Sequence, residues 1–221
     1  MSKNSPSWLG LRGVLTLLLT AGVLLSLDLW SKYAAFDRLL LTPIERNPLT
    51  GRVLFIHSDE IPFVQSLLHF RVTVNEGAIF GIGQGQRWLF VVVSIFAIAL
   101  LTVMASRGGR WWQHALLGVL LAGVLGNLYD RWYYGYVRDM LYALPGHTYG
   151  DFALTRFVTP ASLHNYELFP WIFNLADCFL VCGVILLLIQ SFFVREAVAS
   201  QVGQDPVGKT NGVGSAGGPL S

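Results

Sequence analysis

Residues 171–194, which read WIFNLADCFLVCGVILLLIQSFFV, decide the fold of this chain. Asp177 is the only charged residue in this stretch. A helix needs about 20 predominantly apolar residues to cross a bilayer, and the stretch meets that length. It therefore predicts a transmembrane helix with a carboxylate close to its first end. An ionisable group at such a depth is a functional candidate by default.

Three other stretches have the same apolar character. The chain is 53% hydrophobic and 13% charged, whereas soluble domains carry about 25% charged residues. The net charge of +2 comes without a run of Lys or Arg, which argues against nucleic acid as a partner. The sequence therefore predicts an all-α membrane protein with four transmembrane helices, formed by residues 171–194 and three further spans: 13–30, 88–105 and 111–130.

The long segment between the first two spans, residues 33–86, contains a strand pattern. Apolar and polar residues alternate over residues 69–74, which is the period of a strand with one apolar face. We expect residues 52–57 to be its partner. The sequence thus predicts a small extracytoplasmic β subdomain within residues 33–86.

We expect a single membrane-embedded domain over residues 1–198, with a second outer loop at 140–170. The tail, residues 199–221, is rich in Gly and Ser and predicts disorder. Basic residues of the N-terminus, the turn at 106–110 and Arg195 share one side of the four spans. The positive-inside rule therefore places both termini in the cytoplasm and the two long loops outside.

Polar residues gather where the predicted spans end on the outer side. Taken singly, they have ordinary explanations: Asp28 and Lys32 could be a helix ion pair, and Asn127 and Arg131 could bridge helices. Asp130 could be a solvated surface charge. Their convergence on one side of the membrane instead predicts a buried polar site with two unpaired carboxylates. The residues that converge are Asp28, Asn127, Asp130, Arg131, Asp139, Asn174 and Asp177.

The two cysteines do not suggest a metal centre. Cys178 and Cys182 lie four residues apart in one apolar stretch, without other Cys or clustered His nearby. Structural zinc sites need four such ligands at short spacings, and free cysteines are commonly buried as small apolar residues. We therefore expect no metal and no other cofactor.

Five short motifs follow one another in a fixed order on this frame. The motifs are Asp28 with Lys32, NEGAIFG at 75–81, GNLYDR at 126–131, GYVRD at 135–139 and FNLAD at 173–177. Together they resemble the lipoprotein signal peptidase (signal peptidase II) family over nearly the whole membrane portion of the chain.

The resemblance implies a bacterial aspartic endopeptidase of the cytoplasmic (inner) membrane, with its active site towards the outer side. Such enzymes remove signal peptides from prolipoproteins by cleaving before the diacylglyceryl-modified cysteine. The two aspartates that the family uses match Asp139 and Asp177. The family also has a small outer sheet that holds the substrate. The implied partners are diacylglyceryl-modified prolipoproteins and membrane lipids, and we expect a monomer.

The other residues of the motifs receive supporting roles. We expect Asp28 and Lys32 to position the first helix, and Asp130 to brace Arg131. Five residues are expected to bind substrate or to hold the aspartates in position: Asn75, Gly77, Asn127, Arg131 and Asn174.

The sequence departs from the family pattern between the two aspartates. The stretch at 145–170 is longer than is common and contains Asp151, which is a rival to Asp139. We favour Asp139 because Gly135 and Val137 precede it at the family spacing. The long stretch could be an enlarged lid or a surface decoration.

The chemistry of two neighbouring carboxylates also supports hydrolysis. In a site of low dielectric constant they cannot both ionise cheaply, so they share a proton. The ionised carboxylate activates water and the protonated one polarises the scissile carbonyl.

Three other classes of membrane protein are weaker hypotheses. A transporter or channel would need polar groups through the membrane depth, and the middles of the four spans nearly lack them. A non-catalytic assembly factor would leave Asp139 and Asp177 dispensable. A protease of the presenilin kind would carry a Gly-x-Gly-Asp signature, which is absent.

Overall fold

The structure, a computed structural model, describes residues 7–54, 56–77 and 83–202. This part of the chain contains five α-helices and one antiparallel sheet of four strands. The helices are α1 Ser7–Leu39, α2 Arg87–Ser106, α3 Trp111–Tyr133, α4 Ala153–Val158 and α5 Leu175–Val202. The strands are β1 Glu60–Val64, β2 Leu68–Asn75, β3 Val137–Ala143 and β4 Ile172–Phe173.

The prediction of four transmembrane helices is confirmed. Among the described residues, four helical segments are long and apolar enough to cross a membrane. Many of their large apolar side chains are exposed on the protein surface, as lipid-facing residues are. The four segments are Gly10–Leu39, Arg87–Ser106, Trp111–Tyr133 and Leu175–Phe192.

Helix α1 is longer than predicted and continues to Leu39 rather than ending near residue 30. Its last turns carry apolar residues at helical spacing, which form one face. Leu39 is buried in a cluster with Val72, Met140 and Leu141. The helix therefore continues past the membrane span because its final turns pack against the sheet.

The sheet has the order β1-β2-β3-β4, with antiparallel neighbours throughout. Strand β2 confirms the predicted alternation, since Val72 is buried and its neighbour Arg71 is exposed. Thr73 pairs with Asp139 in the β2–β3 register. The sheet thus carries Asp139 on an inner strand and reaches well beyond residues 33–86.

The predicted partner strand, residues 52–57, was wrong. Strand β2 pairs instead with β1 on one side and β3 on the other. The described residues of 52–57 run alongside the segment that follows α1, with an isolated bridge between Arg46 and Val53. Strand β3 is buried on both faces along nearly its whole length, so it lacks the polar alternation that identified β2.

Helix α5 begins at Leu175, not at residue 171 as predicted. Ile172 and Phe173 form β4 and pair with Tyr142 and Leu141 of β3, which keeps them extended. At its other end α5 continues to Val202, past the predicted start of the tail at 199. The rest of the predicted tail, 203–221, lies outside the described residues.

Helices α1 and α3 approach each other closely at a glycine. A Cβ atom at Gly118 would lie 2.7 Å from the carbonyl oxygen of Leu17, closer than real Cβ contacts allow. Small residues permit such close packing in membrane helices, where it replaces the hydrophobic effect as a source of association. This contact aligns the two helices whose far ends carry the polar residues.

The chain forms two compact units, divided after Ile185. The first unit contains the sheet and every predicted site residue, and the second contains the part of α5 that starts at Leu186. Between β3 and β4 lies the long insertion, residues 144–171, which carries α4 and a short 3-10 turn at Ala161–Leu163.

Candidate active site

The two predicted catalytic aspartates share one neighbour, Asn174. Its side-chain Nδ2 donates a hydrogen bond of 2.6 Å to Oδ1 of Asp139. Its Oδ1 accepts a hydrogen bond of 3.1 Å from the backbone N–H of Asp177. Because Asn174 and Asp139 are almost completely buried, this bridge is shielded from competing solvent.

The start of helix α5 holds Asp177 in place. Oδ2 of Asp177 accepts a hydrogen bond of 3.2 Å from the backbone N–H of Asn174, which completes a reciprocal pair like a capping box. Asp177 lies in the first turn, where the positive end of the helix dipole favours a carboxylate. Local helix-start chemistry therefore orients this aspartate.

Asn127 of α3 connects Asp177 to a buried lysine. Its Nδ2 donates a hydrogen bond of 2.8 Å to Oδ1 of Asp177. Its Oδ1 accepts a hydrogen bond of 3.2 Å from Nζ of Lys32. Since an ammonium group can only donate, Lys32 fixes which end of the amide faces Asp177.

Lys32 and Asp28 form a buried ion pair that also supports α5. Nζ of Lys32 lies 2.8 Å from Oδ2 of Asp28, and both side chains are fully buried. Oδ1 of Asp28 accepts a hydrogen bond of 2.9 Å from the backbone N–H of Ala176 in the first turn of α5. A Cβ atom at Gly126 would overlap the Asp28 carboxylate. A glycine is therefore required where α1, α3 and α5 meet.

Asp130 has a partner that sequence reasoning missed. Its Oδ1 accepts hydrogen bonds from Nε and Nη2 of Arg138 at 3.1 and 2.7 Å, and its Oδ2 accepts one of 3.0 Å from the backbone N–H of Arg138. Nζ of Lys32 lies 3.3 Å from the same Oδ2. Asp130 makes no hydrogen bond or ion pair with Arg131 in the described structure, because its two oxygens are occupied by Arg138 and Lys32; only its charge acts on Arg131.

Arg138 could have been suspected from its position. It is a lone cation in an apolar stretch directly before Asp139, and a buried cation needs an anionic partner. The partner could not be identified, since no strand was predicted over residues 137–143, where the structure has β3.

Arg131 turns towards the loop that follows β2. Its Nη2 donates a hydrogen bond of 3.1 Å to the carbonyl oxygen of Gly77, and its Nη1 donates one of 3.4 Å to that of Asn127. The guanidinium also lies 4.9 Å from the ring centroid of Phe90. Arg131 thus ties α3 to Gly77 and lies in the field of Asp177 and Asp139.

Asn75 joins the same loop to the dyad. Its side chain hydrogen-bonds the Asp139 carboxyl group. Its Oδ1 also accepts a hydrogen bond of 3.0 Å from the backbone N–H of Gly77, an Asx-type turn. The structure therefore joins all ten predicted site residues through hydrogen bonds or ion pairs, and it adds Arg138.

Burial in the site raises the pKa of Asp139 to about 8, and the negative charge of Asp177 adds to this effect. The hydrogen bond from Asn174 and the charge of Lys32 oppose it. The connected side chains include four carboxylates and three cations: Asp28, Asp130, Asp139 and Asp177, with Lys32, Arg131 and Arg138. One proton on Asp139 makes the set electrically neutral.

Asp151, the rival to Asp139, has a different environment. It is exposed, and its Oδ2 accepts hydrogen bonds from the backbone N–H and the hydroxyl of Thr148 at 2.5 and 2.9 Å. These bonds hold the pKa of Asp151 below its usual value. The geometry favours Asp139, because only that carboxylate of the two is bound to Asn174.

No group of three or more His, Cys, Asp or Glu in the described ranges could hold a metal ion. The buried aspartates contact amides and cations instead. This arrangement holds carboxylates in fixed orientations within a low-dielectric environment, which suits general acid–base chemistry.

Comparisons with known proteins identify the family of this chain. The family model described as Signal peptidase (SPase) II matches residues 20–193. A lipoprotein signal peptidase of Geobacillus thermodenitrificans is 31% identical over 186 residues, covering 83% of this chain and 93% of the relative. Another, of Desulfitobacterium hafniense, is 29% identical over 157 residues, covering 70% of this chain and 84% of the relative.

A solved structure has the same fold. It is a bacterial membrane enzyme determined by the in meso method at 2.3 Å resolution. The match has a TM-score of 0.56 and 22% sequence identity, and it covers 88% of this chain and 94% of that one.

Proposed function

The chain belongs to the signal peptidase II family, and from this premise we propose that it is an aspartic endopeptidase that processes prolipoproteins. The family makes it a multi-pass membrane peptidase concerned with signal-peptide processing. Our proposal adds that it cleaves before the diacylglyceryl-modified cysteine, at the outer face of the cytoplasmic membrane. Both termini would then lie in the cytoplasm.

One observation carries the aspartic mechanism: Asn174 contacts both Asp139 and Asp177. The buried side chain of Asn174 hydrogen-bonds the carboxyl group of Asp139 and the backbone of Asp177. It therefore keeps the two aspartates adjacent. Neighbouring carboxylates that share one proton can serve as base and acid in the same step.

The environments of the two aspartates suggest which one carries the proton. Asp139, with its pKa raised to about 8, is protonated at neutral pH. Both oxygens of Asp177 accept hydrogen bonds, one from Asn127 and one from the backbone of Asn174, so we assign it the role of base.

Peptide hydrolysis follows from this state. Asp177 removes a proton from a water molecule, whose oxygen attacks the scissile carbonyl carbon, while Asp139 donates its proton to the carbonyl oxygen. Collapse of the tetrahedral intermediate breaks the C–N bond, and the proton now on Asp177 passes to the leaving amine. The carbonyl oxygen returns its proton to Asp139, so one water is consumed and the pair is restored.

Residues around the dyad suit substrate binding. Asn75 and Arg131 lie beside the dyad and beside the backbone of Gly77, where donors could orient a peptide carbonyl. The exposed apolar faces of the spans would let the acyl chains of a diacylglyceryl-modified prolipoprotein remain among membrane lipids. We propose that the enzyme acts as a monomer, because one chain contains the whole polar site.

The test is cleavage of a diacylglyceryl-modified prolipoprotein peptide by the purified protein in detergent, with product identification by mass spectrometry. We expect wild type and Asp151→Asn to cleave before the modified cysteine, and Asp139→Asn and Asp177→Asn to be inactive. A well-folded wild type without activity would reject the proposed function. An inactive Asp151→Asn beside an active Asp139→Asn would reject the assignment of the pair.

A further inference from the structure

Arg138 is a buried cation of the site that the mechanism above does not use. It directly precedes Asp139 on β3 and has only 5% of its surface exposed. Its guanidinium packs over the ring of Tyr134 at 4.3 Å from the centroid. Burying a cation here is costly unless its bonds are satisfied, so the contacts of Arg138 indicate what it does.

All hydrogen bonds that Arg138 makes from its side chain converge on one carboxylate oxygen. Nε and Nη2 reach Oδ1 of Asp130, while the backbone N–H of Arg138 reaches Oδ2. A guanidinium that donates two bonds from a planar fork restricts both the distance and the orientation of its partner. These contacts hold the start of strand β3, and with it the backbone of Asp139, against the end of α3.

The contacts between Arg138 and Asp130 also bear on how the Lys32 ammonium group is divided among its acceptors. Its ammonium group has three donors and lies near three acceptors, at 2.8 Å from Asp28, 3.2 Å from Asn127 and 3.3 Å from Asp130. Asp130 is the most distant of the three, as expected if Arg138 satisfies most of its charge. Without Arg138, Asp130 would be a buried carboxylate with Lys32 as its remaining cation.

We propose that Arg138 is a positioning residue for the aspartate pair: it neutralises Asp130, so that Lys32 stays on Asn127 and Asn127 stays on Asp177. This inference rests on the proposed function for its kinetic test. It also explains the position of Arg138 in the sequence, because one residue anchors β3 beside Asp139 and acts on Asp177 through Asp130, Lys32 and Asn127.

Three variants separate charge from geometry. Arg138→Met removes the cation, so the negative charge of Asp130 loses one of its two cationic partners. Arg138→Lys keeps the charge and loses the planar fork. Asp130→Asn combined with Arg138→Met removes both charges. Arg156→Met is the matched control, since Arg156 is an exposed arginine on α4 with no contact to the site residues described above.

The expected kinetic results differ for the three variants. We expect Arg138→Met to lower kcat by on the order of 10- to 100-fold, as small misplacements of catalytic groups do, with KM changed less than about 2-fold. Arg138→Lys should lower kcat by less than Arg138→Met does, because it keeps the positive charge. The double variant should recover activity relative to Arg138→Met, because it no longer contains an unpaired buried carboxylate.

The alkaline limb of the pH–rate profile reports the charge around Asp139. Removing the cation alone should move this limb to higher pH by roughly one unit, whereas Arg138→Lys and the double variant should stay near wild type. The charged and titratable groups around the aspartate pair and Arg138 are Asp28 and Lys32 from α1, Asp130 and Arg131 from α3, Tyr134 and Tyr136 between α3 and β3, and Cys178 from α5.

An infrared titration of the protonated carboxyl band provides a readout without substrate. The titration of this band should move to higher pH in Arg138→Met and stay near wild type in Arg138→Lys and in the double variant. If wild type does not cleave but the band behaves in this way, the proposed function fails and the positioning role stands. The positioning role is overturned if Arg138→Met keeps wild-type kcat. It is also overturned if Arg138→Met lowers kcat without moving the alkaline limb of the pH–rate profile and the double variant recovers no activity. A purely structural residue would behave in that way.

Discussion

Nζ of Lys32 lies 3.2 Å from Oδ1 of Asn127, and this contact between α1 and α3 determines the orientation of the amide. Because the lysine can only donate, the oxygen of Asn127 faces it and the nitrogen faces Asp177. An amide held in this way presents a hydrogen-bond donor to Asp177 without rearrangement, which is the preorganisation that catalysis requires.

The first prediction concerns this amide. Asn127→Asp replaces the amide donor by a carboxylate that faces Asp177, so Asp177 loses a hydrogen bond and meets a like charge instead. We expect cleavage activity to fall by on the order of 10²-fold or more. Asn165→Asp, at an exposed asparagine of the insertion, should be neutral in the same peptide assay. Equal activities of the two variants would contradict the role of Asn127.

The second prediction is the pH dependence of cleavage. Asp139 has to be protonated to donate to the carbonyl oxygen, and burial raises its pKa to about 8. The rate should therefore hold at neutral pH and decline as the pH rises through about 8. The measurement is kcat against pH with a saturating peptide substrate. A rate that keeps increasing beyond pH 9 would show that Asp139 is not the acid.

The third prediction is a pH-dependent gain in stability for Asp139→Asn. A carboxyl group with a raised native pKa favours the folded state most at low pH, where it is protonated in both states. That contribution is lost as the pH rises from about 4, its unfolded value, to about 8. Asn imitates the protonated form, so its advantage should grow over this interval by up to about 1.4 kcal/mol per pH unit.

Thermal unfolding in detergent at several pH values measures this difference. Asp151→Asn is the control with the opposite sign, because the native pKa of Asp151 is lowered by its bonds to Thr148. That carboxylate favours the folded state above its unfolded pKa and loses the effect as the pH falls. A constant difference in Tm between Asp139→Asn and wild type would contradict the buried, protonated state of Asp139.

The fourth prediction tests the glycine between α1 and α3. Gly126→Ala places a methyl group against the Asp28 carboxylate, and Ala176 on α5 also lies near that position. Overpacking of this kind costs about 1–3 kcal/mol, so Tm should drop clearly. Gly22→Ala is the matched control, since nothing lies within 4 Å of a Cβ there and alanine favours the helix. A similar Tm for both variants would contradict the close packing at Gly126.

The sequence predicted the residues of the site better than their contacts. The spacing of Asp28 and Lys32 allowed a helix ion pair, and they form one. Asp130 bonds directly to Arg138 and Lys32 rather than to Arg131, because neighbours in sequence at the end of a helix point in different directions. Arg138 was missed, since its partner comes from the far side of a turn and its own strand shows no alternation.

By itself the sequence determined the four spans and the set of polar residues at their ends. Hydrophobicity and helix length are local properties, so they can be read without knowledge of distant contacts. Only the tertiary structure decided the length of α1, the sheet partners of β2 and the sharing of Lys32 among three acceptors. Those features depend on residues far apart in the chain, such as Asp28 and Ala176, which are separated by 148 positions and joined by one hydrogen bond. Which buried donor meets which carboxylate is set by packing, because every member of a buried polar network has to be satisfied at once.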